Sequence, residues 1–345
     1  MKCTKLLLVL ITTSILLVSC TDDNGTSTPV GAYDHGVLIV NEGDGTAGSI
    51  TFISNDRTTI QQDVFGAENQ GDGLGGYVQS VFFDEEKAFI ISNGSNKITI
   101  VNRYTFELVA KIETGLSVPR YGVVKNGKAY VTNLATFNSL TDDFVAVIDL
   151  STFAVTSSIM MNAIADKITE ANGKLYVANG AYGDGASLTV INPTTNTIET
   201  TIATGISPNS FEEENGILYV LCSDYVNPSK LLKIKLSTNE ILSEITFPEA
   251  LGNAQNLNIE DGKLYFTVNS AVYSQALSAT SINATPLFTA AATTLYGFAV
   301  EDDAIFVADA QDFTSDGKVF IYSTSGILEN QFTVGLIPNG FYFND

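Results

Sequence analysis

The chain contains one histidine, three cysteines, three methionines and no tryptophan. So few imidazoles and thiols exclude histidine-rich zinc sites, zinc ribbons and a disulfide scaffold. The missing indole excludes sugar platforms built on tryptophan. Basic residues are scarce too: 17 Lys plus Arg stand against 38 Asp plus Glu, and the net charge of −21 with no basic stripe speaks against nucleic acid as a partner. No GxSxG, Walker loop or HExxH is present, and past the N-terminus no segment carries a helical apolar period of useful length. What is there is an apolar share of 45% with 28 Gly, enough for a large core interrupted by many turns. The chemistry must come from carboxylates, amides, hydroxyls, tyrosines and a few cations.

The N-terminus stands apart. Lys2 and Lys5 precede an apolar run over residues 6–18, too short for a membrane span, and the run ends in Leu17, Val18, Ser19 and Cys20. These four residues resemble a bacterial lipobox, in which the cysteine is acylated and becomes the first mature residue. Asp22 and Asp23 follow directly and are similar to the acidic export signal of surface lipoproteins in the Bacteroidetes. Residues 1–19 are therefore expected to be a signal peptide, and residues 20–35 a lipidated cysteine with a flexible linker rich in Thr, Ser and Gly.

The rest of the chain repeats one pattern. A β-rich segment recurs with an aromatic residue or Leu at a common place: Leu38, Phe89, Tyr130, Tyr176, Tyr219, Tyr265 and Phe306. The steps are 51, 41, 46, 43, 46 and 41 residues, a period that fits four-stranded propeller blades. Tight-hairpin pairs precede several anchors: Asn126 with Gly127, Asn172 with Gly173, and Asp261 with Gly262. Third strands are expected over residues 98–101, 145–148, 188–191 and 231–234.

Eleven residues before six of the anchors stand Val78, Pro119, Ala165, Pro208, Ala254 and Leu295, each expected to open a first strand. The first repeat has none upstream of Leu38. The C-terminus supplies it, because Ile337, Pro338, Asn339, Gly340 and Phe341 repeat the sequence at 206–211 and no anchor follows. The expectation is an all-β fold: one seven-bladed β-propeller over residues 36–345, with four-stranded antiparallel blades and the ring closed by the C-terminal strand on residues 36–41.

Tyr130, Val131, Thr132 and Asn133 spell the motif of the YVTN-repeat β-propellers, which the repeats over residues 36–345 resemble, with degenerate copies at 176–179 and 306–309. With the lipoprotein signal and the opening Val40, Asn41, Glu42 and Gly43, the chain is similar to the surface lipoprotein propellers of Bacteroidetes. Some relatives of that group capture cobalamin over a TonB-dependent outer-membrane transporter. The resemblance implies a surface-exposed, outer-membrane location, with the lipid as the only membrane contact.

Counting back ten residues from each anchor gives Gln79, Arg120, Asp166, Asn209, Gln255 and Tyr296, with Asn339 in the closing strand; all are polar or polar-tipped. The next position adds Tyr121, Lys167 and Asn256, and the one after is mostly apolar. This places a polar ring at the channel mouth, either a ligand site or a set of strand ends satisfying one another. Loops on the same face carry Phe137, Tyr182, Tyr225 and Phe313, rigid aromatic area suited to a planar ligand or a protein partner. Arg120 and Lys167 are expected to meet an anionic group, with pairing to a neighbour such as Asp166 as the alternative for each, and Arg120→Ala to weaken binding while leaving the melting temperature nearly unchanged.

Signs of catalysis are few. His35 sits where the linker enters the first blade, and Cys222 reads as a buried inert thiol. Carboxylates at Asp309, Asp312, Asp316 and Asp184 could hold calcium, yet none has EF-hand spacing and solvated turns fit them better. The reading is a monomeric, non-enzymatic binding module without a cofactor, with a small-molecule ligand or an outer-membrane transporter protein as its partner. The alternatives are a metal-assisted hydrolase or lactonase drawing on Asp166, Asn209 and Asn339, and a protein-binding adhesion scaffold.

Overall fold

The computed structural model describes residues 30–136, 139 and 141–344. These form seven four-stranded antiparallel sheets arranged as the blades of a propeller. Blade 1 combines the closing strand Pro338–Phe343 with Gly36–Asn41, Ser49–Ser54 and Ile60–Gln61. The first strands of blades 2 to 7 are Val78–Asp84, Pro119–Lys125, Ile168–Ala171, Pro208–Glu214, Gln255–Glu260 and Leu295–Glu301. The expected closure is present: Val37 pairs with Phe343, Ile39 with Phe341 and Asn41 with Pro338. The four expected third strands lie inside Lys97–Asn102, Phe144–Asp149, Asp184–Asn192 and Lys230–Lys235.

Each anchor lies in the second strand of its blade, and its side chain enters the seam with the next blade. The core is accordingly divided into seven clusters, one per seam. Side chains of a strand alternate between faces, so Leu38 and Val40 fill the seam toward blade 2 while Val37 and Ile39 fill the one toward blade 7. All seven anchors are buried. Where the anchor is tyrosine, its hydroxyl can cap the neighbour: Tyr130 donates to the Pro193 carbonyl at 2.8 Å and meets Asn196 Oδ1 at 2.9 Å, and Tyr176 donates to Asn239 Oδ1 at 2.7 Å. An aromatic side chain here buries area and satisfies a turn of the next blade at once.

The hairpin pairs adopt the backbone that their chemistry suggested. Asn126 and Gly127 have φ of 53° and 71°, the left-handed pair of a type I′ turn. A Cβ on Gly127 would meet nothing within 4 Å, so glycine is needed there for its φ and not for space. One boundary departs from expectation. Blade 4 begins at Ile168 and not at Ala165, because Asp166 donates its N–H to the Ala178 carbonyl while Lys167 accepts from Ala178 N–H, a local bulge ahead of the ladder. Cys222 is fully buried, and burial pushes its thiol up to about 12, as an inert core residue requires.

The closing strand carries a stability test. Phe341 lies 5.5 Å from the blade 7 anchor Phe306, and Phe341→Ala should cost about 3 kcal/mol. Deleting residues 338–345 should remove the cooperative thermal transition altogether. A truncated chain that melts at the full-length midpoint would show that closure does not hold the ring.

Candidate functional site

The polar ring arises from an irregularity repeated around the axis. In five of the first-to-second-strand ladders the register jumps at the ring position: between Val78 and Ser80, Pro119 and Gly122, Pro208 and Ser210, Gln255 and Asn258, and Leu295 and Gly297. The closing strand does the same between Pro338 and Gly340, and the Asp166–Lys167 bulge is the blade 4 version. A bulged residue is unpaired and re-aimed, so Gln79, Asn209, Tyr296 and Asn339 turn out of the ladder toward the mouth. In blade 6 the extra residues are Asn256, at φ 59°, and Leu257.

Together these residues line a two-lobed bowl. One lobe, of about 300 Å³, holds Asp166, Lys167, Asn209, Tyr225, Gln255 and Asn256. The other, of about 320 Å³, holds Glu42, Tyr77, Gln79 and Asn93. Arg120, Tyr121, Tyr182, Tyr296 and Asn339 border both. All ten ring residues expected from the sequence are thus brought together. Tyr182 and Tyr225 stand on the rim, and Phe313 packs edge-on against Tyr296 at 5.5 Å. Phe137 lies outside the described residues.

Most ring groups are already engaged, largely with the adjacent blade. Asn339 Nδ2 donates to the Val78 and Gln79 carbonyls at 3.2 and 3.3 Å, and Gln79 Nε2 to the Tyr121 hydroxyl at 3.1 Å. Arg120 Nε donates to Asp166 Oδ1 at 2.8 Å, its guanidinium also bonds Gln79, and Asn209 Nδ2 donates to the Ala254 carbonyl at 3.0 Å. Within blade 6, Gln255 donates to Asn253 at 3.2 Å and Asn256 to Thr267 at 3.0 Å. The ring is therefore a set of inter-blade ties as well as a lining.

Arg120 departs most from expectation. It is a buried ion-pair member whose guanidinium lies 5.6 Å from the Tyr121 ring centroid and 5.9 Å from that of Tyr182. Burial works against its charge, but the Asp166 carboxylate outweighs this and keeps it protonated. The charge expected to meet an anionic ligand is thus spent on Asp166.

Three groups lack a counter-charge or a hydrogen-bond partner. Lys167 is half-buried with its ammonium 5.8 Å from the Tyr121 centroid. Among the described residues no carboxylate comes within ion-pair distance of it. Burial pulls its pKa down, against the pull of Asp166 and of Glu212 on the blade 5 inner strand. Burial in turn pushes Glu212 up to about 7. Asn339 Oδ1 is buried with no hydrogen-bond partner. Glu42 is raised by burial and held back by hydrogen bonds from Tyr296 and Asn339 and by the more distant Arg120; all its direct partners are neutral.

Glu42, Tyr77 and Asn93 were not singled out from the sequence. A signal for two of them existed: Glu42 and Asn93 each follow their anchor by four residues, as do Gly180 and Ser223, which also line the bowl. Tyr77 precedes a first strand in the left-handed region, at φ 50°, which sequence counting does not reveal. The acidic loops considered for calcium are occupied by turn chemistry: Asp309 accepts N–H bonds from Thr293, Thr294 and Gln311, and Asp312 from Thr314 and Ser315.

The chain belongs to the family described as a domain of unknown function, DUF5074, which matches residues 35–311. No curated protein matches it. Among solved structures it is similar to a hypothetical selenium-binding protein from Sulfolobus tokodaii, at 10% identity over 90% of this chain and 93% of that one, with a TM-score of 0.66. A functionally unknown protein from Desulfotomaculum acetoxidans shares 12% identity over 90% and 98%, with a TM-score of 0.66. BamB from Moraxella catarrhalis shares 13% over 89% and 85%, with a TM-score of 0.55. At these identities the likeness speaks for the fold alone.

The ion pair yields a prediction opposite to the one from sequence. Arg120→Ala leaves the Asp166 carboxylate buried without its partner and should destabilise the fold by about 3–5 kcal/mol. The double variant Arg120→Met with Asp166→Leu should recover most of that loss. Urea denaturation of the single and double variants checks both, and an unchanged midpoint for Arg120→Ala would show the pair to be solvated.

Proposed function

We propose that this protein is a non-enzymatic binding module, anchored by a lipid on Cys20 at the outer face of the outer membrane. It captures a small-molecule nutrient in the bowl and passes it to an outer-membrane transporter. The observation that carries this reading is the contrast within the bowl: among the described residues, a ring otherwise saturated by its own contacts leaves Lys167 without an ion pair and Glu42 with neutral partners only, and both line the cavity. A partly buried charge without a counter-charge carries a desolvation cost that a ligand of opposite charge would offset.

The path of the chain supports the tethered arrangement. The described residues just before blade 1, among them Tyr33, are clamped at the end of the ring opposite the bowl. Tyr33 packs edge-on against Phe52 and Phe106, each at 5.3 Å, and donates to Glu68 at 2.5 Å. Its carbonyl accepts from Asn344 Nδ2. From Gly36 the strand crosses to Asn41 beside the bowl, a rise of about 17 Å. A lipid on Cys20 would hold the clamped end to the membrane and leave the bowl facing outward. The rim there exposes Tyr182 at 64%, Tyr225 at 71% and Val226 at 88%, apolar area for a ligand body or a transporter loop.

A metal-assisted hydrolase would have to draw on Asp166, which Arg120 holds. Among the described residues no three His, Cys, Asp or Glu side chains converge as a metal site would need.

Two measurements test the reading. Cys20→Ser should leave the propeller folded but move it from the membrane to the soluble fraction; unchanged partitioning would remove the lipid anchor. The resemblance to cobalamin-capturing propellers makes cyanocobalamin the first ligand to try by equilibrium dialysis. Lys167→Met should weaken retention roughly 10-fold and Tyr225→Ala by a similar factor, while Lys128→Ala on the opposite face does little. Retention that ignores both bowl variants would place the site elsewhere.

A further inference from the structure

We infer that the bowl selects a dipolar ligand, a small molecule with a cationic group such as an amine at one end and a carboxylate or phosphate at the other. The inference rests on the bowl being a ligand site and narrows what enters it. Four charged side chains line the two lobes: Glu42, Arg120, Asp166 and Lys167. Arg120 and Asp166 cancel each other at 2.8 Å. The remaining two belong to different lobes, Glu42 following the second strand of blade 1 and Lys167 heading blade 4, three blades away in a ring of seven. The bowl is therefore neutral in sum and polarised across its width, in a chain of net charge −21.

Each pole is furnished for the charge it would receive. On the Glu42 side the bowl offers a carboxylate whose own hydrogen bonds come from the neutral Tyr296 and Asn339, in a lobe also lined by Tyr77 and Tyr182. A carboxylate among phenol rings suits an ammonium. On the opposite side the open group is a donor, the Lys167 ammonium, which gives no hydrogen bond to any described residue. A simple anion would satisfy Lys167 but meet Glu42 across a partly dry cavity, and a simple cation would meet the reverse. A ligand carrying both charges satisfies both poles without a net charge being brought into the site.

The test uses the soluble Cys20→Ser chain at neutral pH. Saturation-transfer NMR compares ω-amino acids from glycine to 6-aminohexanoate with the acids and amines of matching length. At least one amino acid should bind about tenfold tighter than both of its singly charged analogues. Glu42→Gln should reduce it to the level of the acid, and Lys167→Met to that of the amine. Equal binding of an amino acid and its matching acid or amine throughout the series would overturn the dipolar inference; if Lys167→Met still weakened the acids, the bowl itself would stand as the site. No binding by any probe would overturn the inference as well, and the cyanocobalamin dialysis would then decide the bowl separately. The comparison on the unsubstituted bowl needs no variant, so a variant that unfolds does not blunt the test.

Discussion

The structure depends on one packing relation: the anchor of each blade is buried against the blade that follows. A four-stranded sheet with two apolar faces cannot leave either in water. Each blade therefore requires a neighbour on both sides, and a finite row of such sheets is stable only when it closes. Phe306 meets that requirement by packing on Phe341 and Phe343 of the closing strand. This joins the two ends of the described chain within one sheet and leaves no blade face uncovered.

The seam relation also decides where function can sit. The inner strands converge on the axis, where a further layer of large apolar side chains has no opposing sheet to meet. Bulges at the upper ends of those strands release one or two residues per blade from the ladder, and polar side chains there reach the next blade. Asn339, Gln79, Arg120 and Asn209 all do so. The mouth is thus tied by groups of the same kinds that would bind a ligand. Ring members differ in residual valence: Asp166 has its cation, whereas among the described residues Lys167 has no carboxylate within ion-pair distance and Asn339 Oδ1 has no hydrogen-bond partner.

The architecture was legible in the sequence because the anchor is a seam residue and recurs with the blade. Counting from it located the hairpins, the missing first strand and all ten ring positions. The partners across the ring were legible only in part. Asp166, 46 residues on, was open from the sequence as an alternative partner for Arg120, since consecutive ring positions are spatial neighbours, but only the structure shows that the pair forms and is buried. Glu42 is a different case: it opens the loop over residues 42–48, which strand counting puts on the bowl face of the ring, but only its offset from Leu38, shared with Asn93, singles it out within that loop. The late start of blade 4 was equally unreadable, since a bulge changes hydrogen bonding without changing the residue pattern.

This separation explains how the scaffold can carry a site that costs stability. Removing the charge of Lys167 would relieve a desolvation cost, and no described carboxylate forms an ion pair with it, so its loss leaves no buried counter-charge behind. Arg120 differs, because its loss would leave a buried carboxylate unpaired in the inter-blade tie. Changes at the open positions can alter what the bowl accepts while the seams stay intact, so a propeller ring of this kind fixes the place of a binding site without fixing its ligand.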